Sequence, residues 1–279
     1  MRYKLKDTHP LSFSKDWPET TLFSYAKDWS EHKTPDNPNR TYNPTWIPMD
    51  TEENFNRLKK EGFPNRFDAN SFNYETNKHG FRCDEFDTMD FTKKSIVYLG
   101  CSHTFGIGSP EEDIWCSILH KLLQEHYNTK FNLTNLGVQG GTIDDYLRFI
   151  PYLKKFNPHM IVSFTPPIHR MIIPYRNRAD YCSPVSEKNK KTNAFYQLLK
   201  YNDEYFIYKY DMTLQVVKSV ADTMNIEFYE ANMFENMNFN LDNLELDRNC
   251  NIHNRDGNHF SREIHEIVAT SYFKMITEK

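Results

Sequence analysis

Ser95-Ile-Val-Tyr-Leu-Gly100-Cys-Ser102-His-Thr-Phe-Gly106-Ile-Gly108 is the stretch whose reading decides the fold. Ser95 to Gly100 is a short apolar, β-branched run closed by glycine, the pattern of a strand buried on both faces of a parallel sheet. From Glu111 to about Tyr127, Ile114, Trp115, Ile118, Leu119, Leu122 and Leu123 fall at three- and four-residue spacings and form one helical stripe. Strand, turn and helix in that order make a first α/β unit, and Ser102 lies in its turn.

Toward the C-terminus the unit repeats. Strands are predicted at Phe131 to Val138, Met160 to Phe164 and Ile226 to Tyr229, with helices at Ile143 to Phe156 and Asp211 to Met224. Such alternation predicts a parallel sheet between helices, a three-layer α/β/α sandwich of flavodoxin-like type. The rhythm breaks from Pro166 to about Asn202, where Pro166, Pro167, Pro174, Pro184 and the polar run Glu187-Lys-Asn-Lys-Lys191 exceed an ordinary connection and predict a lid or binding insertion. Ser261 is a candidate N-cap for a last helix that carries Ile264, Ile267, Val268, Tyr272 and Ile276 on one face.

Toward the N-terminus, residues 1 to about 93 are rich in Asn, Pro, Asp and aromatic residues without sustained periodicity, apart from one short helix at Thr51 to Lys60. The expected organisation is an irregular extension, 1–93, wrapped over an α/β domain, 94–279. The extension is also the expected route to an oligomer or larger assembly.

Composition narrows the function. Mean hydropathy is -0.76, yet 21 Phe, 17 Tyr and 4 Trp among 279 residues supply enough apolar surface for a packed core. A net charge of -4 without a dense Lys/Arg block argues against a nucleic-acid partner. The five cysteines, Cys83, Cys101, Cys116, Cys182 and Cys250, show neither CxxC nor zinc-finger spacing, so free thiols and no metal are expected. No apolar run of membrane-spanning length and no signal-like N-terminus occur, so no membrane partner is expected, and the chain is placed in the cytoplasm or released without a classical signal.

The chemistry-bearing residues cluster at two places. Ser102 follows the first strand at its carboxyl end, where open α/β sheets bind ligands and a helix N-terminus offers amide donors. Asp256-Gly-Asn-His259 lies near the C-terminus, with Gly257 allowing a tight turn. A serine hydroxyl needs an imidazole to take its proton, and the imidazole needs a carboxylate to fix its tautomer, so His259 and Asp256 suit those roles. The structural alternatives are a helix N-cap for Ser102 and a capping surface turn for Asp256 and His259. Cys101 is read as a small buried hydrophobe pointing away from Ser102. His103, His169, His253 and the pair Asp144 and Asp145 show no metal-ligand spacing. Arg170, Arg176, Arg178, Tyr175 and Tyr181 suit either an acidic or sugar substrate or a solvated face.

Taken together, Gly100-Cys101-Ser102, Asn135-Leu-Gly-Val-Gln-Gly140-Gly-Thr142 and Asp256-Gly-Asn-His259 resemble three motifs of the SGNH (GDSL-like) hydrolases: Gly-Asp-Ser, Asn-x-x-x-x-Gly and Asp-x-x-His. Thr76-Asn-Lys-His-Gly80-Phe-Arg82 is similar to the Asn-x-x-Gly-Phe-Arg entry of some members, and the main resemblance spans about Ser95 to Lys279. It implies a Ser102, His259 and Asp256 triad, an oxyanion hole from the Ser102 and Gly140 amides, and an acyl-enzyme formed without a cofactor. The implied substrate is a small, acetyl-type ester, for instance on a glycan. The family's third motif, Gly-x-Asn-Asp, is missing: after the third strand the chain reads Thr165-Pro-Pro167-Ile-His169-Arg170, and proline cannot donate in place of the Asn. Thr165, His169 and Arg170 are the candidate substitutes, and with His103 the candidate substrate contacts. Two further functions stay open, a weakly active glycan-binding or structural module and a sugar O-acyltransferase.

Overall fold

The computed structural model describes residues 45–47, 50–63, 67–77, 79–175, 178–182, 203–232, 254–257 and 259–278. Four strands form one parallel sheet in the order β2-β1-β3-β6: β1 (Ser95–Gly100), β2 (Asn132–Gly137), β3 (Pro158–Thr165) and β6 (Glu227–Asn232). The chain leaves β1 toward β2 on one side and returns to β3 on the other, so the strand order reverses between β1 and β3. In a doubly wound sheet that reversal opens a crevice at the strands' carboxyl ends.

Alternation along the strands explains the layers. Ile96 and Tyr98 of β1, with Met160, Val162 and Phe164 of β3, face helices α3 (Trp115–Tyr127) and α6 (Arg262–Thr277). Val97, Leu99 and Ile161 face the opposite layer, α4 (Asp144–Leu153) and α5 (Asp203–Thr223). Both faces of the sheet are therefore covered, and the three-layer α/β/α sandwich is the observed fold. Trp115 is fully buried against Tyr98, Phe164 and Tyr272, and burial of a large aromatic side chain contributes on the order of 3 kcal/mol.

Before β1, Thr51 accepts the Asn54 amide at 3.1 Å and caps α1 (Glu52–Lys60), the short helix expected there. Segment 67–77 packs Tyr74 onto Phe105 and Ile107, next to the turn after β1. Among the described residues the segment before β1 has no strand in the sheet, in keeping with its lack of periodicity.

Several predicted boundaries differ. The helix expected from Glu111 is a 3-10 turn, Glu111–Asp113, then an extended Ile114, and only then α3. The start is pinned by His265 Nδ1, which accepts the Trp115 amide at 3.2 Å. The helix expected to reach Phe156 ends as α-helix at Leu153, two residues past Pro151, and tightens into a 3-10 turn over Lys154–Phe156. Helix α5 begins at Asp203 rather than Asp211, because exposed Tyr205, Ile207 and Tyr208 blur the apolar period of its first turns. Within the predicted insertion, β4 (Met171–Tyr175) and β5 (Arg178–Cys182) pair as an antiparallel hairpin. Residues 183–202, with the polar run, lie outside the described residues, as do Arg176, His253, Cys250 and the side chains of Tyr175, Arg178 and Tyr181.

Candidate active site

β1 ends at Gly100, and the chain turns at Cys101 into the single helical turn α2 (Ser102–Phe105). Phe105 N–H donates to Cys101 O at 2.9 Å, and the amides of Gly106 and Ile107 both donate to Ser102 O. This closed turn holds Ser102, 1 % exposed, at the carboxyl end of β1 beside the β1–β3 reversal. Cys101 is fully buried, as expected of a packing residue.

The loop 254–259 closes on itself in the same way. Asn254 N–H donates to His259 O at 2.8 Å, Gly257 N–H to Asn254 O at 2.8 Å, and His259 N–H to Asp256 Oδ1 at 3.1 Å. His259 Nδ1 stands 2.5 Å from Asp256 Oδ2, with both side chains buried. A carboxylate at that distance holds the imidazole as the Nδ1–H tautomer and leaves Nε2 free to accept a proton.

The two pieces meet at the turn that follows α2. Asn254 Nδ2 donates to Ile107 O at 3.2 Å and to Ser109 Oγ, while Arg255 N–H reaches Gly108 O at 3.3 Å. Gly108 has φ +77, and a Cβ there would stand 2.8 Å from Asn254 Cβ and 3.1 Å from Asp256 Oδ1. Only glycine fits that contact. His103, next to Ser102, packs its ring 4.8 Å from that of His259 and 4.0 Å from Phe260. Burial drives the His103 imidazole well below the usual histidine range, with His259, His265 and Arg170 opposing its charge further, so His103 is neutral at pH 7.

Neither Ser102 Oγ nor His259 Nε2 has a hydrogen-bond partner among the described residues, so the bond that would couple them is not formed in this structure. Catalytic hydrogen bonds are often long without substrate and tighten in the complex.

On the other side of Ser102, Gly140 has φ +67 in the loop after β2, and Val138 N–H donates to Gly100 O at 3.0 Å, which draws that loop over the end of β1. Among the described residues the amides of Ser102 and Gly140 donate to no backbone carbonyl. The candidate substitutes divide. Thr165 is fully buried, with its hydroxyl 2.7 Å from Tyr210 OH and 3.3 Å from Ala231 O, so it is engaged away from the crevice. His169 packs on Phe206 of α5. Arg170 lies alongside the site: its Nη1 is 3.4 Å from Gly141 O, and its charge is near enough to oppose one on His103. Asp144 pairs with Lys209 at 3.0 Å and Asp145 with Arg148 at 3.3 Å, and no metal-ligating cluster occurs among the described residues.

Sequence reasoning did not single out Asn254, Arg255, Asp50 or Tyr74, which hold the Asp256 loop, because their partners are remote in sequence. It also passed over His265, which lay within the predicted last helix but not among its apolar stripe residues.

No protein-family model and no curated protein sequence matches the chain. Solved structures similar to it include the acetyl xylan esterase AlAXEase, 17 % identical, covering 65 % of this chain and 99 % of that one with TM-score 0.36. A putative lipolytic protein of the G-D-S-L family from Desulfitobacterium hafniense DCB-2 is 16 % identical over 65 % and 98 %, TM-score 0.32. The psychrotrophic esterase EstA from Pseudoalteromonas sp. is 14 % identical over 66 % and 97 %, TM-score 0.35. At such identities side-chain roles do not carry over, and those of this chain rest on its own geometry.

Proposed function

We propose that the chain is a serine esterase of the SGNH/GDSL-like type, acting on small, acetyl-type esters through Ser102, His259 and Asp256. The observation that carries this reading is the 2.5 Å contact between His259 Nδ1 and Asp256 Oδ2, on a loop docked against the turn that follows Ser102.

Ser102 Oγ attacks the ester carbonyl carbon while His259 Nε2 takes its proton, and Asp256 stabilises the imidazolium. The carbonyl oxygen becomes an oxyanion held by the Ser102 and Gly140 amides. Arg170 supplies a charged donor at the place where Pro167 offers none. The tetrahedral intermediate collapses, the alcohol leaves with the proton from Nε2, and an acyl-Ser102 remains. Water, deprotonated by His259, then releases the acid and restores the hydroxyl. A carbohydrate carrier for the ester rests on the resemblance alone.

The test is hydrolysis of p-nitrophenyl acetate by the wild type and Ser102→Ala, with circular dichroism as the folding control. Mass spectrometry after fluorophosphonate treatment accompanies it. The expected result is turnover reduced on the order of 10³-fold or more by the substitution, and a phosphonyl adduct on Ser102. The unformed Ser102 to His259 hydrogen bond favours one competing reading, a glycan-binding module without turnover. Equal rates in both proteins, or none, together with no adduct, would overturn the esterase reading and favour that alternative.

A further inference from the structure

The segment before β1 reaches the candidate site through one buried ion pair. Arg255, adjacent to Asp256, is fully buried, and its Nε and Nη2 donate to Asp50 Oδ2 at 2.8 Å and 2.6 Å. Its other donors go to Thr45 O at 2.5 Å and Ala69 O at 3.2 Å. The guanidinium lies 4.3 Å from the centre of the Trp46 ring and 3.9 Å from that of Phe72, so aromatic faces cover the charge.

The same carboxylate oxygen accepts Tyr74 OH at 2.5 Å, and Tyr74 OH in turn accepts the Gly108 amide at 2.7 Å. Asp50 Oδ2 is thus the common anchor of both halves of the site. One arm runs through Arg255 into the backbone of Asp256, the other through Tyr74 into the turn after Ser102. Two further contacts come from α1: Asn54 Nδ2 donates to Asp256 O at 2.7 Å, and a Cβ on Gly257 would stand 2.7 Å from Leu58 Cδ1.

The geometry points to Asp50, Tyr74 and Arg255 as positioning residues that set the Asp256 and His259 loop against the Ser102 turn, with residues 45–47, 50–63 and 67–74 as a built-in part of the active site. This rests on the proposed triad. A fully buried ion pair adds little net stability over an apolar packing, because both ions lose their hydration. What it supplies is direction: Arg255 has a rigid fork of donors, and each of its three nitrogens donates to an acceptor from the segment. A catalytic constellation needs its groups held to within about 0.5 Å, and a loop fixed only by its own hydrogen bonds lacks that support.

The test compares wild type with Tyr74→Phe, which keeps the ring and removes the hydroxyl bridging Asp50 and Gly108, and with Asn54→Ala on the accessible side of α1. Two readouts are taken: kcat and KM separately, and the low-field proton resonance of His259 Nδ1–H, which needs no turnover. The expected result for Tyr74→Phe is kcat lowered about tenfold or more, KM within twofold, and the resonance broadened or lost in a folded protein. Asn54→Ala shifts both readouts in the same direction by less, and decides the matter if Tyr74→Phe does not fold. Wild-type kcat with an unchanged resonance in the folded variants would overturn the inference, as would absence of the resonance from the wild type. If the wild type shows the resonance but no turnover, the esterase reading fails, and positioning is judged on the resonance alone.

Discussion

The turn that carries Ser102 is closed by its immediate neighbours and steadied by Arg82 and Tyr74, 24 to 34 positions away, whereas the loop of Asp256 and His259 is placed from far along the chain. The turn that carries Ser102 closes through bonds between Cys101 and Ile107, directly after a strand buried on both faces. The Asp256 loop also closes on itself, but its place in the molecule is set by contacts to Ile107, Ser109, Asp50 and Asn54, which lie 145 to 205 positions away. With the triad as proposed, the nucleophile comes with the core and the acid–base pair has to be delivered to it. The most informative perturbations are therefore those that act on one half alone.

The largest expected effect is on the delivered half. Asp256→Asn leaves an amide where the carboxylate accepted from Nδ1, so the imidazole loses its preferred tautomer. With the triad acting as proposed, kcat falls on the order of 10⁴-fold while the fold persists, measured by steady-state hydrolysis and circular dichroism. Near-normal turnover in this variant would mean that the 2.5 Å contact only closes the turn.

Arg170 probes the other half. It lies beside the loop that carries Gly140, with Nη1 3.4 Å from Gly141 O, and is proposed as the donor that Pro167 does not supply. Arg170→Met is expected to lower kcat about 10²-fold, the scale of losing one oxyanion donor. An effect confined to KM would make Arg170 a substrate contact, and no effect would leave the oxyanion to the two amides.

A smaller effect concerns pH. Burial lowers the His265 imidazole to about 3 and that of His120 to about 4, against an ordinary value of 6.5. The unfolded chain therefore binds protons in that window that the folded one does not. The stability contribution is complete above about pH 6.5 and is lost as pH falls toward the folded values, at up to about 1.4 kcal/mol per pH unit for each group. Urea midpoints measured between pH 7 and 4.5 should fall accordingly. His265→Gln, which keeps an acceptor for the Trp115 amide, should flatten the slope by about one proton. An unchanged slope would show that His265 is not held neutral.

The same contrast explains what was legible in the sequence. The β1 run, the helix stripe after it and the Asp256 to His259 spacing are local patterns, and each led to the right element or the right turn. The expected triad residues fall on two pieces that pack together. Helix starts were less legible: that at Trp115 depends on a tertiary bond to His265, and exposed Tyr205, Ile207 and Tyr208 blur the apolar period after Asp203. The Asp50, Tyr74 and Arg255 network was invisible for a related reason. A lone Arg, Asp or Tyr in an aperiodic stretch carries no sign of a partner 205 positions off, and the aromatic density around Trp46 and Phe72 read only as an extension covering the core. Local sequence announces what local hydrogen bonds and periodic burial build.

Thr165 is the case where a local reading misleads, and it sharpens the comparison with the smallest effect. Its place at the end of β3 suggested a donor for the oxyanion, yet its hydroxyl is paired with Tyr210 OH and Ala231 O, on the side of α5 and β6. Thr165→Val keeps the shape and removes those bonds. Because the hydroxyl is engaged in packing and not in the crevice, the substitution should cost about 1 kcal/mol in a denaturation midpoint and leave kcat and KM unchanged. A fall in kcat without loss of stability would return Thr165 to the oxyanion hole. It would also mean that the end of β3 rearranges when substrate binds, so that the serine half of the site is less rigid than the histidine half.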